Sequence, residues 1–202
     1  MMVIGLTGNF GTGKTTVSGI LAELGAVIIE ADKLGHELLQ PNSQAYQEVV
    51  AAFGKAILKP NQEIERHKLG QLVFTNATAL AQLNHIMHPE MYKMAQERIE
   101  LYRKQGNKGV VLEAALLIEA GWAPLVDQIW VTVAPEAVIV NRLKSQRGLD
   151  KGQVLARLYS QMPSEEKIKQ ADVIIDTDCQ LAELKTKVAK LWQELQAKLE
   201  NM

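Results

Sequence analysis

Eight residues near the N-terminus follow a spacing that binds phosphate. They read Gly8-Asn9-Phe10-Gly11-Thr12-Gly13-Lys14-Thr15, which matches the pattern G-x-x-x-x-G-K-[ST] in full. Glycines allow backbone conformations in which successive N–H groups point into one concavity and hold phosphate oxygens. The apolar run Val3–Thr7 precedes the loop and a helical pattern follows it, which is the context the motif requires. The spacing therefore predicts binding of a nucleoside triphosphate.

The side chains of this loop have separate predicted roles. Lys14 is expected to reach the β and γ phosphates, and the Thr15 hydroxyl to coordinate Mg²⁺, which is otherwise held largely through water. Thr16 supplies a further hydroxyl for phosphate. The predicted nucleotide-binding residues of the loop are Gly8, Gly11, Thr12, Gly13, Lys14, Thr15 and Thr16.

Carboxylates stand where two apolar runs end. Asp32 follows the second run and Glu113 closes the third. In open parallel sheets, ligands bind outside the carboxyl ends of the strands, where the phosphate loop also lies. A carboxylate there can accept a proton from an attacking hydroxyl or hold magnesium-bound water. We expect Asp32 to be the general base and Glu113 to contact the substrate or a residue that binds it.

Basic side chains are available for phosphate charge in two other segments. Arg142 and Arg147 follow the fourth run, where a mobile lid could bring a planar, permanently charged guanidinium over the triphosphate. Arg66, His36 and His88 belong to a long segment between the second and third runs, where they are candidates for acceptor binding. Histidines of this segment are not accompanied by the cysteine or carboxylate set of a zinc site.

Five short runs rich in Val and Ile predict the strands of the fold. They lack strict alternation and are separated by helical patterns, which indicates a parallel sheet covered on both faces, hence the α/β class. The runs are Val3–Thr7, Ala26–Glu30, Gly109–Glu113, Gln128–Ala134 and Asp172–Asp176.

The spacing of these runs predicts three parts. Residues 1–32, 107–141 and 168–202 form a nucleotide-binding core, residues 33–106 a helical insertion, and residues 142–167 a second insertion that could act as a lid.

Helical patterns fill the segments between the runs. Helices are predicted at 43–53 and 89–104, and another with Pro135 in its first turn, because the missing N–H of proline costs nothing there. Asp150 and Gln153 are spaced as a capping pair for the next helix. A final helix carries an apolar stripe at Leu181, Leu184, Val188, Leu191, Leu195 and Leu199.

Composition excludes several classes of function. The 202-residue chain has a formal net charge of −1, so nothing favours a nucleic-acid or anionic-membrane surface. The longest apolar stretch, 110–126, is interrupted by Glu113 and Glu119, and the N-terminus lacks the basic region of a signal peptide. A single cysteine, Cys179, fits a reducing compartment. We therefore expect a monomeric, cytoplasmic protein whose partners are small molecules.

Beyond the phosphate loop, the order of several short motifs resembles the dephospho-CoA kinase family over nearly the whole chain. Asp32 lies in a segment similar to the family's D-A-D block, and Ile118 and Glu119 lie in one similar to its P-L-L-x-E block. The other matching segments are Phe53-Gly54, Arg66…Leu69…Phe74, Leu83-Asn84…His88-Pro89, Arg157…Gln161-Met162-Pro163…Glu166-Lys167…Ala171-Asp172 and Ile175-Asp176.

The resemblance implies a P-loop kinase fold and transfer of the ATP γ-phosphoryl group to the ribose 3′-hydroxyl of dephospho-CoA, with Mg²⁺. It implies that Asp32 is the catalytic base, with Lys14 and Arg142 in catalysis, Arg142 and Arg147 on ATP, and His36, Arg66, His88 and Glu113 on the acceptor. The chain departs from the family pattern at a few positions. Glu30 replaces the first aspartate of the D-A-D block, Ala115 and Thr177 replace a common proline and asparagine, and the two lid arginines are one residue further apart.

Other functions use the same loop. Another small-molecule P-loop kinase, acting on a nucleoside, nucleotide or sugar acid, would need the same loop, base and lid. A GTP-dependent switch is disfavoured because 107–110, Asn-Lys-Gly-Val, lacks the aspartate that reads guanine, although 32–35 fits D-x-x-G. An ATP-fuelled assembly protein is disfavoured by the lack of a second ATPase module or an oligomerisation heptad.

Overall fold

The computed structural model describes residues 1–74 and 76–200, and it divides into two compact units. The first unit comprises Met1–Ile29 and Ile99–Met202, and the second comprises Glu30–Arg98. The second unit covers most of the predicted insertion, whereas the predicted lid residues belong to the first unit.

The strands form one parallel sheet, as predicted. They are β1 Met2–Gly8, β2 Val27–Glu30, β3 Gly109–Glu113, β4 Gln128–Val133 and β5 Val173–Asp176. The order across the sheet is β2-β3-β1-β4-β5, so β1 lies at the centre with β3 and β4 as parallel neighbours. In its register with β4, Gly8 lies opposite Thr132. All five apolar runs therefore become strands, with ends within one residue of the predicted ones.

Nine α-helices lie in the described part of the chain. They are α1 Lys14–Glu23, α2 Ala31–Leu38, α3 Gln44–Phe53, α4 Arg66–Phe74, α5 Ala77–Lys104, α6 Glu136–Arg147, α7 Lys151–Tyr159, α8 Ser164–Ile168 and α9 Leu181–Glu200. None of these described helices combines the length and apolar composition needed to span a bilayer.

One apolar core of the first unit lies between the sheet and the helices α1 and α9. Ile4 and Leu6 of β1 are fully buried in it, together with Leu21 of α1 and Val188 of α9. Burial of this kind explains why the strands read as continuous apolar runs and not as alternating ones.

The stripe predicted for α9 is partly wrong. Leu184, Val188 and Leu195 are buried, but Leu181 opens the helix and is 56% exposed. Trp192 takes part in the core and its indole N–H donates to the carbonyl of Leu24 at 3.1 Å. Leu199 lies among the residues whose side chains the structure leaves undescribed.

The helix predicted to start at Pro89 begins twelve residues earlier. Helix α5 starts at Ala77 and contains Pro89 in its interior. Proline usually interrupts a helix because it lacks an N–H and clashes with the preceding turn. Here Met87 is buried, and Leu83 and Ile86 pack against the same core of the second unit. Burial of these side chains stabilises a helix that continues through Pro89. His88 is therefore a mid-helix residue and does not lie at a helix entry.

The helices of the predicted lid follow the sequence closely. Asp150 and Gln153 form the predicted capping box, in which each side chain bonds the other residue's backbone N–H. Pro135 precedes α6 as its N-cap, one position before the predicted first turn. The two helices α6 and α7 share an apolar cluster of Ile139, Leu143, Val154 and Leu158.

Candidate active site

The phosphate loop joins β1 directly to α1, as its motif predicts. Gly11 and Gly13 adopt φ values of 79° and 89°, in the region that side chains other than glycine rarely occupy. A Cβ atom on Gly11 would also lie 2.7 Å from side-chain carbons of Ile139 and Leu143. Both backbone geometry and packing therefore require glycine at position 11.

Backbone N–H groups of the loop are available for an anion. Among the described residues, none accepts a hydrogen bond from the N–H of Gly11 or of Gly13. Gly13 is the N-cap of α1, so these groups lie at the positive end of a helix dipole. Unpaired amides at a helix N-terminus are a binding site for phosphate.

Buried threonines hold the loop in this shape. The Thr12 hydroxyl donates to the Asn9 carbonyl at 2.8 Å and lies 2.7 Å from the hydroxyl of Thr132 on β4. The Thr177 hydroxyl donates to the Thr12 carbonyl at 2.9 Å. The Thr12 hydroxyl is thus already bonded to other residues of the protein, and its role here is to hold the shape of the loop.

Lys14 and Thr15 lie at the start of α1. The Lys14 ammonium group donates to the carbonyl oxygens of Gly8 at 2.8 Å and Asn9 at 3.1 Å. The Thr15 side chain is exposed, as is that of Thr16. Both hydroxyls are therefore accessible to a nucleotide.

Glu113 contacts α1 through two hydroxyl groups. Its carboxylate accepts from Thr15 at 3.0 Å and from Ser18 at 2.5 Å. The Thr15 hydroxyl proton therefore points at Glu113, and its oxygen lone pairs face away from the carboxylate. The structure brings the predicted residue Glu113 to the phosphate loop, and Ser18 was not predicted.

The donor set fits magnesium bound together with a nucleotide. No group of three or more His, Cys, Asp or Glu side chains that could hold a metal occurs in the described residues. Magnesium in nucleotide sites usually takes one or two protein oxygens and obtains the rest from phosphates and water. Thr15, with Glu113 accepting its proton, supplies such an oxygen.

Arg142 lies against the phosphate loop. Its guanidinium donates to the Gly11 carbonyl at 3.0 Å, and to the hydroxyl and carbonyl of Thr177 at 3.3 and 3.0 Å. Arg147, at the end of α6, is exposed and its guanidinium lies 5.7 Å from the centre of the Phe10 ring. Both predicted lid arginines are thus close to loop residues.

A buried lysine of α8 links this helix to the segment after β3. The fully buried Lys167 donates to the carbonyl of Ala115 at 2.7 Å and pairs with the carboxylate of Glu119 at 2.9 Å. The same carboxylate accepts from the backbone N–H of Met162, whose carbonyl accepts from the Asn9 side chain at 3.1 Å. This network reaches the phosphate loop. In the sequence, the residues of the network stood out only through their resemblance to motifs of the family.

Asp32 belongs to the second unit. It lies in the first turn of α2, directly after β2, and its side chain is exposed. A carboxylate in the first turn of a helix interacts favourably with the helix dipole. A general base must be accessible to the hydroxyl whose proton it accepts, and the exposed side chain of Asp32 meets this requirement.

An open cleft of about 440 Å³ lies within the second unit. It brings together two predicted acceptor residues, His36 and Arg66. The other lining residues are Leu39, Gln40, Lys59, Glu63, Ile64, Glu65 and His67. His88 does not line it. The volume is in the range of small-molecule sites.

Ion pairs neutralise the acidic side chains of this cleft. Glu63 has a pKa below its usual value of 4.5 because Asn61 and Lys59 donate hydrogen bonds to its carboxylate. The pKa of Glu65 is also lowered, chiefly by a hydrogen bond from Lys68. Arg66 is exposed and forms no ion pair with any residue that the structure describes. The cleft therefore keeps positive charge for an anionic ligand.

Comparison with known proteins shows which family the chain resembles. The dephospho-CoA kinase family model matches residues 2–183. The chain is 42% identical over 192 residues to the dephospho-CoA kinase of Carboxydothermus hydrogenoformans, covering 95% of this chain and 93% of that one. A solved structure from Thermus thermophilus aligns with a TM-score of 0.81 at 30% identity, covering 96% and 97% of the two chains. The dephospho-CoA kinase of Campylobacter jejuni aligns with a TM-score of 0.74 at 29% identity, covering 99% and 98%.

The family match spans the phosphate loop, the carboxylate of Glu113 and the cleft of the second unit. The chain belongs to the dephospho-CoA kinase family.

Proposed function

We propose that the chain transfers the γ-phosphoryl group of ATP to the ribose 3′-hydroxyl of dephospho-CoA, giving CoA and ADP, the final step of CoA synthesis. The observation that carries the proposal is the phosphate loop, whose Gly11 and Gly13 amides have no acceptor among the described residues, in a chain whose family match covers residues 2–183. The loop supports binding of the donor, and the family supports the choice of acceptor.

The loop residues bind and orient ATP. Amides of the loop hold the β and γ phosphates, and Lys14 exchanges its bonds to the Gly8 and Asn9 carbonyls for phosphate oxygens. Thr15 and, through it, Glu113 would hold Mg²⁺, which supplies positive charge for the β and γ phosphate oxygens. Thr16 adds a hydroxyl, and Arg142 fixes the peptide of Gly11.

Asp32 acts as the general base. Its carboxylate accepts the proton of the ribose hydroxyl as that oxygen attacks phosphorus in line with the departing ADP. Its exposure and its position in the first turn of α2, directly after β2, support this role.

The cleft of the second unit binds the acceptor. Dephospho-CoA carries a diphosphate, and Arg66 offers a guanidinium that is not used in an ion pair with the described residues. His36 and His67 line the same cleft. His88 lies outside this lining, in α5, and its proposed contact with the acceptor has less support. The proposed enzyme is a monomer and acts in the cytoplasm.

The test is ADP release from ATP with a panel of acceptors. We expect turnover with dephospho-CoA and Mg²⁺, and far less with nucleoside monophosphates, shikimate or gluconate at equal concentration. The product should carry the new phosphate on the ribose 3′ position, which phosphorus NMR distinguishes from a 2′ position. Turnover with a nucleoside monophosphate and none with dephospho-CoA would disprove the acceptor assignment.

A further inference from the structure

The side chain of Phe10, in the phosphate loop, lies close to two arginines. The guanidinium carbon of Arg147 is 5.7 Å above the centre of the ring, and that of Arg157 is 5.1 Å above it. Both distances are within the range of about 6 Å over which an aromatic ring attracts a cation. The two arginines come from different helices, α6 and α7, so one ring contacts both.

The ring itself is held in place. The Phe10 backbone N–H donates to the side-chain oxygen of Gln161 at 2.7 Å. The ring packs against the apolar cluster that α6 and α7 share, which includes Leu143 and Val154. Phe10 is therefore a fixed surface between the loop and these helices.

The two guanidinium groups have unused hydrogen-bond donors. Within the described residues, the guanidinium of neither Arg147 nor Arg157 forms an ion pair or donates a hydrogen bond, and both residues are exposed. Arg142, in contrast, already has three hydrogen bonds to Gly11 and Thr177. A guanidinium that lies over an aromatic ring keeps its N–H donors in its own plane, where they can bind phosphate.

We propose that Phe10 is a positioning residue that holds Arg147 and Arg157 beside the phosphate loop, with their N–H groups directed at the phosphates of ATP. Arg142 then maintains the loop, while Arg147 and Arg157 bind the nucleotide. This inference rests on the proposed use of ATP. It adds Arg157 to the ATP-binding residues and gives a reason for an aromatic side chain at position 10.

The physical gain is preorganisation. A long, exposed arginine loses side-chain freedom when it binds a ligand, and prior contact with the ring removes part of that cost. The ring attracts the cation without using its N–H groups, so the contact and the phosphate do not compete. A carboxylate partner would compete, because it would occupy the same donors.

The test compares Phe10→Leu, Phe10→Trp and the unaltered chain. Leucine keeps apolar packing but removes the ring, and tryptophan restores a stronger ring. We expect Phe10→Leu to raise KM for ATP about 3–10-fold at nearly unchanged KM for dephospho-CoA, since two contacts of this kind are lost. Phe10→Trp should keep KM for ATP within about twofold of the unaltered chain, because its ring attracts cations at least as well.

Substitutions at exposed positions test the same proposal if Phe10→Leu fails to fold. Arg147→Lys and Arg157→Lys keep the charge but lose the planar fork, and each should raise KM for ATP. Lys144→Ala, an exposed cation elsewhere on α6, is the control and should leave KM unchanged. In the Phe10→Leu background, the two lysine changes should have a smaller effect than in the unaltered chain.

The outcomes separate this inference from the proposed function. If the unaltered chain has no dephospho-CoA-dependent ADP release, the proposed function fails. If it is active and Phe10→Leu leaves KM for ATP unchanged, the positioning role alone is wrong. A lower KM in Phe10→Leu would also overturn it, because the ring would then hold the arginines away from ATP.

Discussion

The ammonium group of Lys167 lies 2.9 Å from the carboxylate of Glu119, and the lysine side chain is fully buried. Burial of a charge is costly unless it is paired and hydrogen-bonded. The Ala115 carbonyl, at 2.7 Å, supplies the second bond that the ammonium needs. Because Glu119 also accepts from Met162, and Met162 bonds to Asn9, this pair connects the protein interior to the phosphate loop.

We predict that Lys167→Met lowers the free energy of unfolding by about 3–5 kcal/mol, because it leaves Glu119 without its charged partner. The double variant Lys167→Met with Glu119→Leu should recover part of the loss, because both charges are then removed. Urea unfolding of the single and double variants measures the coupling. Additive effects of the two changes would show that the pair does not act as a unit.

Glu113→Gln should weaken the response to Mg²⁺. The carboxylate accepts the Thr15 hydroxyl proton, and loss of a partner behind a metal-binding group typically costs about 10–100-fold in metal affinity or activity. The Mg²⁺ concentration for half-maximal rate, at fixed ATP, is the measurement. Ser18→Ala is the control, because it removes the other hydroxyl on Glu113 but keeps the Thr15 contact. Equal effects of the two variants would argue against a role of Glu113 through Thr15.

Asp32→Asn should reduce kcat by about 10²–10⁴-fold, which is the usual contribution of a general base. KM for ATP should stay within a small factor. The change also removes a charge from the first turn of α2, so a stability loss below about 1 kcal/mol is expected. Glu97→Gln, an exposed acid in α5 without a described ion pair, is the control. A near-normal kcat in Asp32→Asn would show that another group accepts the proton.

Much of the fold could be predicted from the order of the apolar runs. Parallel strands buried on both faces are rich in Val and Ile without alternation, so all five runs became strands. The start of α5 could not be predicted in this way. Pro89 indicates a helix boundary locally, but the helix continues through it because Met87 and its neighbours are buried in the core of the second unit. Tertiary packing outweighed the local signal.

The candidate site was predictable where a motif fixes local geometry. The strand–loop–helix geometry of the phosphate loop was predictable because its glycines and Lys14 occur at set spacings. Contacts between residues that are far apart in the sequence have no short motif that would predict them. The bonds of Arg142 to Thr177 and of Gln161 to Phe10 join residues 35 and 151 positions apart. The cleft residue Lys59 was not predicted because only the fold of the second unit places it in the same cleft as Arg66.

The stability of the protein should depend on His88 below neutral pH. Partial burial of the imidazole lowers its pKa from the usual 6.5. The unfolded chain therefore binds a proton at a higher pH than the folded chain, so the free energy of unfolding decreases as the pH falls below about 6.5 and levels off below the folded pKa. His88→Gln should remove this part of the pH dependence. Urea unfolding between about pH 5 and 8, the range in which histidine usually changes its charge, measures this pH dependence.

His85→Gln is the matched control for that experiment. His85 lies on the same helix, α5, and is exposed. The control should keep the acid-side decrease in stability. If the His88→Gln variant kept it as well, burial of His88 would not be its cause.

The charge left in the cleft of the second unit should select the acceptor. Arg66 is the exposed guanidinium in the cleft, and its acidic neighbours are held by Lys59 and Lys68. A hydrogen bond to a charged group contributes about 1.5–3 kcal/mol, so Arg66→Ala should raise KM for dephospho-CoA about 10–100-fold. KM for ATP should change little. Lys93→Ala, an exposed cation of α5 outside the cleft, should leave both constants unchanged. A rise in the ATP constant alone would exclude Arg66 from the acceptor site, because the residue would then act on the donor.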